Sequence, residues 1–334
     1  MAEAIHLALR ADDRSYFALL KKEIRQRAQA LQFSEQRAGE LDIIVAELVS
    51  NLVKHASGGQ LLVKSLEHEI GIEIIGLDNG RGMSDVARMM ADGVSTKNTL
   101  GHGLGAIERL ADLFQVYSLR DWGTVTLVRV FATRKEPKRL PIDVHSLLLP
   151  KPGETVCGDG FFCDSDGCFL RVFLGDGLGH GPEAAAAVQL AGAAFSECNS
   201  CEPVEVLRFM HDRSRKTRGL VGTVAVFDIQ LMQWKLCGVG NIAARIVTPS
   251  AARNYLSYNG IIGHNVPRTL NDQTIPWEKS QMLVLCSDGI RSRWDLVRHP
   301  TLLRYDISML SAVLLKDFAR YTDDMSVVTC KLNF

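Results

Sequence analysis

Apolar residues recur at helical spacing over residues 15–31 and again over 35–55. In the second stretch Leu41, Ile44, Val45, Leu48 and Leu52 share one face. Ser34, with Arg37 three residues on instead of Glu or Gln, predicts only a weak helix cap. Two strand-like runs follow, LLVKS and IGIEIIGLD, separated by charged residues. After a glycine-rich stretch the spacing predicts a helix over 104–114. Residues 115–119 and 123–132 then read as a hairpin that closes the sheet. The pattern predicts an α/β sandwich.

The remainder is richer in strand patterning, at 168–174, 222–229, 234–239, 243–247, 282–286 and 325–332. Helical spacing is confined to 182–197, 203–216 and about 309–321. Many strands with few helices predict two sheets packed between helical layers, so the whole chain is of α+β class. Between the halves lies RKEPKRLP, residues 134–141, with two prolines and four basic residues. We take it as a linker, giving domains at 1–133 and 142–334.

Composition narrows the class. The 334 residues are 46% hydrophobic and 23% charged, which excludes disorder and collagen-like or disulfide-framed scaffolds. Lys+Arg and Asp+Glu are both 38, so no broad nucleic-acid or anionic-membrane surface is expected. No apolar run approaches the ~20 residues that span a bilayer. The opening MAEAIHLALRADDR lacks the apolar core of a secretory signal. The eight cysteines all follow residue 156, several inside apolar runs, and are expected to be reduced thiols of a cytoplasmic protein. Cys198 and Cys201 form a lone CxxC without the second pair that a zinc site needs.

Three elements in the first half carry chemistry. Glu47 and Asn51 stand four residues apart on one helical face. Asp78-Asn79-Gly80-Arg81-Gly82-Met83 ends an apolar strand, and Gly101-His102-Gly103-Leu104-Gly105 opens a helix. A carboxylate at Asp78 can accept the exocyclic amine of adenine, and Gly80 and Gly82 let the backbone approach the base. A helix N-terminus after glycines offers free N–H groups to phosphates. Asn51 can give its amide oxygen to Mg²⁺, and Glu47 can deprotonate a nucleophile attacking a γ-phosphate.

These elements resemble the N, G1 and G2 boxes of the GHKL ATPases. The stretch ADGVSTKNTLGHGLGAIERLADLF resembles their RsbT-type serine kinases, relatives of anti-sigma factors. The resemblance covers about residues 5–133. It implies a GHKL (Bergerat) sandwich that binds ATP with Mg²⁺ and phosphorylates a protein serine. Glu47 would be the base, Asn51 the Mg²⁺ ligand and Asp78 the adenine contact. Gly80, Gly82, Gly101, Gly103 and Gly105 would shape the pocket. A sensor histidine kinase is disfavoured, since only a short segment precedes the ATPase motifs.

In the second half, Asp159, Asp176, Asp288 and Asp323-Asp324 stand at or near expected strand ends. Any one Asp-Gly pair is a turn former, and Asp166 is expected to be only that. Converging carboxylates repel, so together they are stable only if a cation neutralises them or some are protonated. Oxygen ligands suit Mg²⁺ or Mn²⁺, and two such ions sharing a carboxylate can activate water against a phosphate ester. GDGLGHGPEAAAA, VGTVAVFDI, GVGNIAARI, LVLCSDGI and DDMSVV, in this order, resemble the protein phosphatase 2C (PPM) superfamily in its SpoIIE-like and RsbX-like branch. The resemblance covers about 142–334 and implies an αββα sandwich. Asp176 would bridge two metals, with the Gly177 carbonyl as a further ligand. Asp159, Asp288 and Asp323 would complete the sites, with Asp324 the alternative to Asp323. The chain departs from many relatives at Phe162, where they carry an acid, and from the eukaryotic enzymes at Gly158, where they carry an acid, and at Leu178, where they carry His. His180 is expected to be a loop residue with a backbone partner, and no general acid or phosphate-binding arginine is assigned.

Together the resemblances imply a bifunctional serine/threonine kinase and phosphatase acting on STAS-domain proteins in a partner-switching or stressosome pathway. The alternative is a phosphatase whose nucleotide domain serves only as adaptor or energy sensor. Kinases of this type often dimerise, but the sequence shows no interface for a homodimer.

Overall fold

The structure is a computed structural model that describes residues 4–11, 17–56, 58–66, 69–90, 103–135, 141–249 and 251–334. The chain divides into two units. One comprises His6–Lys138 with Arg304–Ala312, the other Met1–Ile5, Arg139–Leu303 and Val313–Phe334.

In the first unit, β1 (Leu7–Arg10) precedes α1 (Phe17–Ala30) and α2 (Glu35–His55). Ser34 does cap α2, its hydroxyl accepting the Arg37 N–H at 3.2 Å. Glu35 in the first turn and Lys54 and His55 in the last complement the helix dipole. The face expected from periodicity is the buried one, with Leu41, Ile44, Val45, Leu48 and Leu52 closed off from solvent. There follow β2 (Gln60–Leu66), β3 (Gly71–Asp78), α3 (Val86–Met90), α4 (Gly103–Leu110), β4 (Leu113–Leu119) and β5 (Gly123–Phe131). The strands form one antiparallel sheet, ordered β1-β2-β3-β5-β4. α4 ends earlier than its apolar spacing predicts. The Asp112 carboxylate accepts the N–H groups of Phe131 (2.8 Å) and Lys135 (3.1 Å), which draws the chain into the sheet.

In the second unit, β6 (Ile142–Leu149), β7 (Asp159–Ser165) and β8 (Phe169–Gly177) lead to α5 (Pro182–Glu197) and α6 (Pro203–Arg213). Then come β9 (Leu220–Asp228), β10 (Gln233–Val239), β11 (Ala243–Val247), β12 (Ala252–Tyr255), β13 (Gln273–Pro276), β14 (Met282–Cys286), α7 (Ile307–Phe318), whose residues up to Ala312 are counted with the first unit, and β15 (Met325–Leu332). The strands make two sheets, β13-β10-β9-β8-β7 and β12-β11-β14-β15-β6. Strand alternation sorts the side chains. Phe161, Val172 and Leu174 join Leu283, Leu285 and Val328 in the core between the sheets. Phe162 and Phe173 face the other way, onto Val188 and Phe195 of α5 and Leu207 and Met210 of α6. All eight cysteines are free thiols, five of them buried. Among the described residues no helix is long and apolar enough to cross a membrane.

Candidate active sites

Asp78 is the last residue of β3, and its Oδ1 accepts the N–H of Gly80 (2.8 Å) and of Thr124 (3.2 Å), its register partner on β5. The turn after it is latched to the β4–β5 hairpin. The Ser118 hydroxyl accepts the Met83 N–H (2.8 Å), donates to the Gly123 carbonyl (2.9 Å) and lies 2.9 Å from the Thr124 hydroxyl. Gly82 has φ +65°, and a side chain there would collide with the Leu119 carbonyl. A Cβ on Gly80 would lie 2.9 Å from Ala56 Cα and 3.0 Å from the His55 carbonyl, so this turn abuts the C-terminal end of α2. One and two turns earlier on α2, Asn51 and Glu47 meet α4. A Cβ on Gly103, its first residue, would lie 2.8 Å from Glu47 Oε2 and 3.8 Å from Asn51 Oδ1. Gly105 is buried within α4. Gly101 lies outside the described residues. Of the expected residues, the structure thus brings Gly80 and Gly103 against α2, Gly103 beside Glu47 and Asn51. Sequence reasoning missed Ser118 and Thr124, because single hydroxyls in a strand carry no spacing signal.

In the second unit, Asp159 opens β7 and stands directly across from Asp176 on β8. By alternation both continue the face that carries Phe161 and Leu174, at the rim of the inter-sheet core. Across this core, β14 ends before Asp288 and its antiparallel partner β15 begins after Asp323, so these two reach the facing sheet's rim together. The four carboxylates sense one another. Burial pushes the Asp176 carboxyl up to about 9, and Asp159, Asp288 and Asp323 add to it. Burial pushes Asp159 up to about 7, with Asp324 and Asp288 adding and Ser326 and Ser287 opposing. Asp288 is raised by burial and by Asp323, against Arg320 and the Asn241 hydrogen bond of 2.9 Å.

Asp323 and Asp324 differ. Asp324 is buried, and its two oxygens accept the N–H groups of Lys151 (2.8 Å) and Gly158 (2.9 Å). It holds the loop before β7 in place. Among the described residues Asp323 accepts only the N–H of Asp324 (3.0 Å), and it stays part-exposed beside Asp288. Asp159 Oδ2 accepts the Ser326 hydroxyl at 2.6 Å, while its buried Oδ1 has no hydrogen-bond partner among the described residues. A buried, orphaned carboxylate oxygen among mutually repelling carboxylates fits a divalent cation. Gly177, the last residue of β8, lies against the Ala184 backbone, leaving no room for a side chain.

The departures at Gly158 and Phe162 have physical causes. A Cβ on Gly158 would lie 2.7 Å from Asp324 Oδ2 and 2.9 Å from Ala184 Cβ, so the loop excludes an acid there. Phe162 stacks on Phe173 at 5.8 Å and presses on Gly192 of α5, as a core residue. His180 differs from expectation. Its Nδ1 lies 2.9 Å from Glu154 Oε1, so among the described residues its partner is a carboxylate and not the backbone. Sequence reasoning missed Asn241 and Ser326, although both lie inside motifs it singled out.

Comparison with known proteins finds relatives for both halves of the chain. Residues 166–333 match the family model of stage II sporulation protein E (SpoIIE), and residues 9–130 match the histidine kinase-like ATPase domain. The serine/threonine-protein kinase RsbT of Bacillus subtilis (strain 168) is 32% identical over 102 residues, 30% of this chain and 77% of RsbT. The phosphoserine phosphatase RsbX of the same organism is 27% identical over 147 residues, 42% of this chain and 71% of RsbX. A solved structure of RsbX in complex with magnesium shares the fold at TM-score 0.51 and 20% identity, covering 66% of this chain and all of that one. A structure described under the bacterial stressosome as a modular system for secondary messenger signalling aligns at TM-score 0.53 and 26% identity. It covers 57% of this chain and 99% of that one. The chain belongs to the SpoIIE family, with a PP2C-type phosphatase domain that follows a histidine kinase-like ATPase domain.

Proposed function

We propose that the protein is a bifunctional regulator of partner switching in the cytoplasm, phosphorylating and dephosphorylating serine or threonine on STAS-domain proteins. The observation that carries the phosphatase reading is the rim where Asp159, Asp176, Asp288 and Asp323 converge from two facing sheets. Two Mn²⁺ or Mg²⁺ ions bound there would supply Lewis acidity and an activated water. Asp176 would lie between them, and Asp159, Asp288, Asp323 and the Gly177 carbonyl would complete the two sites. Asn241 orients Asp288, Ser326 orients Asp159, and Asp324 fixes the loop that presents Asp159.

The kinase reading rests on Glu47 and Asn51 beside the first residue of α4. Asp78 would accept from adenine, Gly80, Gly82, Gly101, Gly103 and Gly105 would shape the pocket, and Asn51 would hold Mg²⁺ on the phosphates. Glu47 would take the proton of the attacking serine. A nucleotide domain used only as an adaptor needs no such base. The domain limits, 1–133 and 142–334 about the linker 134–141, are part of this reading.

The test is to incubate the full chain with a STAS-domain protein and γ-labelled ATP with Mg²⁺, then add Mn²⁺ after ATP is removed. Label that enters the STAS protein and is then released, with release blocked by chelator, is the expected result. Nucleotide binding without transfer would replace the kinase by an adaptor. Release that survives exhaustive chelation would overturn the metal site.

A further inference from the structure

The carboxylate rim accounts for metals, yet a phosphoserine substrate also brings a dianion that must be oriented. Among the described residues, Arg218 bonds to the loop after Asp176 and Arg320 acts on Asp288, and their surroundings separate them. The Arg218 guanidinium donates to the Leu178 carbonyl (3.0 Å) and to Glu183 Oε2 (2.5 Å). It thereby ties the loop after Asp176 to the first turn of α5, and its charge is already answered by Glu183.

Arg320 differs in each respect. Its backbone is fixed against the loop that carries Asp288. The Arg320 N–H donates to the Gly289 carbonyl (2.8 Å), and the Arg291 N–H donates to the Phe318 carbonyl (2.9 Å). Ile290 and Ala319 form a β-bridge between these two bonds. The residue is exposed, three positions before Asp323, and its charge acts on Asp288. Its guanidinium has no hydrogen-bond or ion-pair partner among the described residues. A cation held by a rigid backbone at the edge of an anionic site, with its donors unspent, suits a phosphate oxyanion. Guanidinium matches phosphate geometry in a two-pronged contact.

We infer that Arg320 is the phosphate-recognition residue of the phosphatase site, taking the phosphomonoester dianion of a phosphoserine or phosphothreonine side chain as it meets the rim. The inference deepens the phosphatase reading and rests on it. Arg320 binds and orients the ester, and Arg218 is a positioning residue for the metal loop.

The test compares wild-type full chain with Arg320→Ala and Arg320→Lys in three measurements. Calorimetry reads inorganic phosphate binding to the Mg²⁺-loaded chain, a second titration reads Mg²⁺ alone, and p-nitrophenyl phosphate turnover gives KM and kcat. Loss of a charge-assisted contact should weaken phosphate about tenfold or more in Arg320→Ala and raise KM with little change in kcat. Arg320→Lys should recover part of this, as a point charge without the fork. Mg²⁺ affinity should hold or tighten, because removing a cation beside Asp288 removes repulsion. Phosphate affinity within twofold of wild type in Arg320→Ala would overturn the inference. So would a fall in Mg²⁺ affinity, which would make Arg320 a prop for Asp288. If wild type binds phosphate through Arg320 but never turns over the ester, the phosphatase reading fails and the anion site stands.

Discussion

Asp323 and Asp324 are chain neighbours in different surroundings, and substitution should separate them. Asp324→Ala removes two backbone-to-carboxylate bonds, each worth roughly 1.5–3 kcal/mol, so the metal-free protein should melt several degrees lower. Asp323→Asn removes like charge and should leave the metal-free melting temperature equal or higher, while the increase on adding Mn²⁺ is lost. Thermal melts with and without Mn²⁺ check both, and matching behaviour of the two variants would contradict the assignment. The pH dependence follows the same charges. The Asp159 and Asp176 carboxyls stand at about 7 and 9, above the ordinary carboxylate range. Their folded pKa values are raised, so the stability they contribute is full below about pH 4. It is lost as pH rises through 7 and 9, because the native state then binds more protons than the unfolded state. Metal-free protein should lose stability across that window, and Mn²⁺ should flatten the loss. At the other site Asp78 already accepts two backbone N–H groups. Asp78→Asn presents a donor where acceptors are needed. Calorimetry should show ATP affinity reduced about tenfold or more, as for a lost hydrogen bond to a charged group.

At the scale of elements, long periodic segments were legible and short or interrupted ones were not. α2 and α5 run where apolar spacing placed them. β1, β12 and β13 are four residues each, too short for alternation to register. β6, broken by His145 and Ser146, is a strand because it pairs along its whole length with β15. Its partner lies more than 170 residues away in sequence, and local pattern cannot report that. The same limit hid an ion-pair network in the first unit. Arg129 on β5 binds Glu73 on β3 (2.8 Å) and Asp306 (3.0 Å), and Tyr117 packs edge-on to Tyr305 at 5.3 Å. Residues Arg304–Ala312 thus belong to a unit otherwise built from the N-terminal part of the chain. Burial pushes the Asp306 carboxyl up, but Arg129 and Ser308 outweigh it and hold it low. Its stabilisation is therefore present above the ordinary carboxylate range and lost as pH falls through its depressed value. Asp306→Asn should cost about 1–3 kcal/mol, less than an isolated buried pair because Glu73 still answers Arg129. Urea titrations at neutral pH and at pH 3 check this. The variant should lie below wild type at neutral pH, with the gap closing in acid, and a gap unchanged by acid would contradict it.

At the scale of the whole molecule, both family resemblances were legible, since each motif keeps its residues within a short stretch. What escaped was the second layer of contacts: Thr124 on Asp78, Asn241 on Asp288 and Ser326 on Asp159. These depend on chain segments far apart in sequence. The central claim is that one chain carries two opposed activities at two sites with no shared residue. Glu47→Gln keeps the shape of the proposed base without its proton affinity, so phosphoryl transfer should fall by roughly 10²-fold or more, while ATP still binds. Asp288→Asn removes a proposed metal ligand and should abolish Mn²⁺-dependent dephosphorylation alone. Effects at independent sites add, so the double variant should lack both activities and show no new defect. The most direct measurement is therefore phosphorylation and dephosphorylation of one STAS-domain protein by wild type, Glu47→Gln, Asp288→Asn and the double variant. Each single variant should lose one activity and keep the other near the wild-type rate. Dephosphorylation abolished by Glu47→Gln, or phosphorylation untouched by it, would contradict the account.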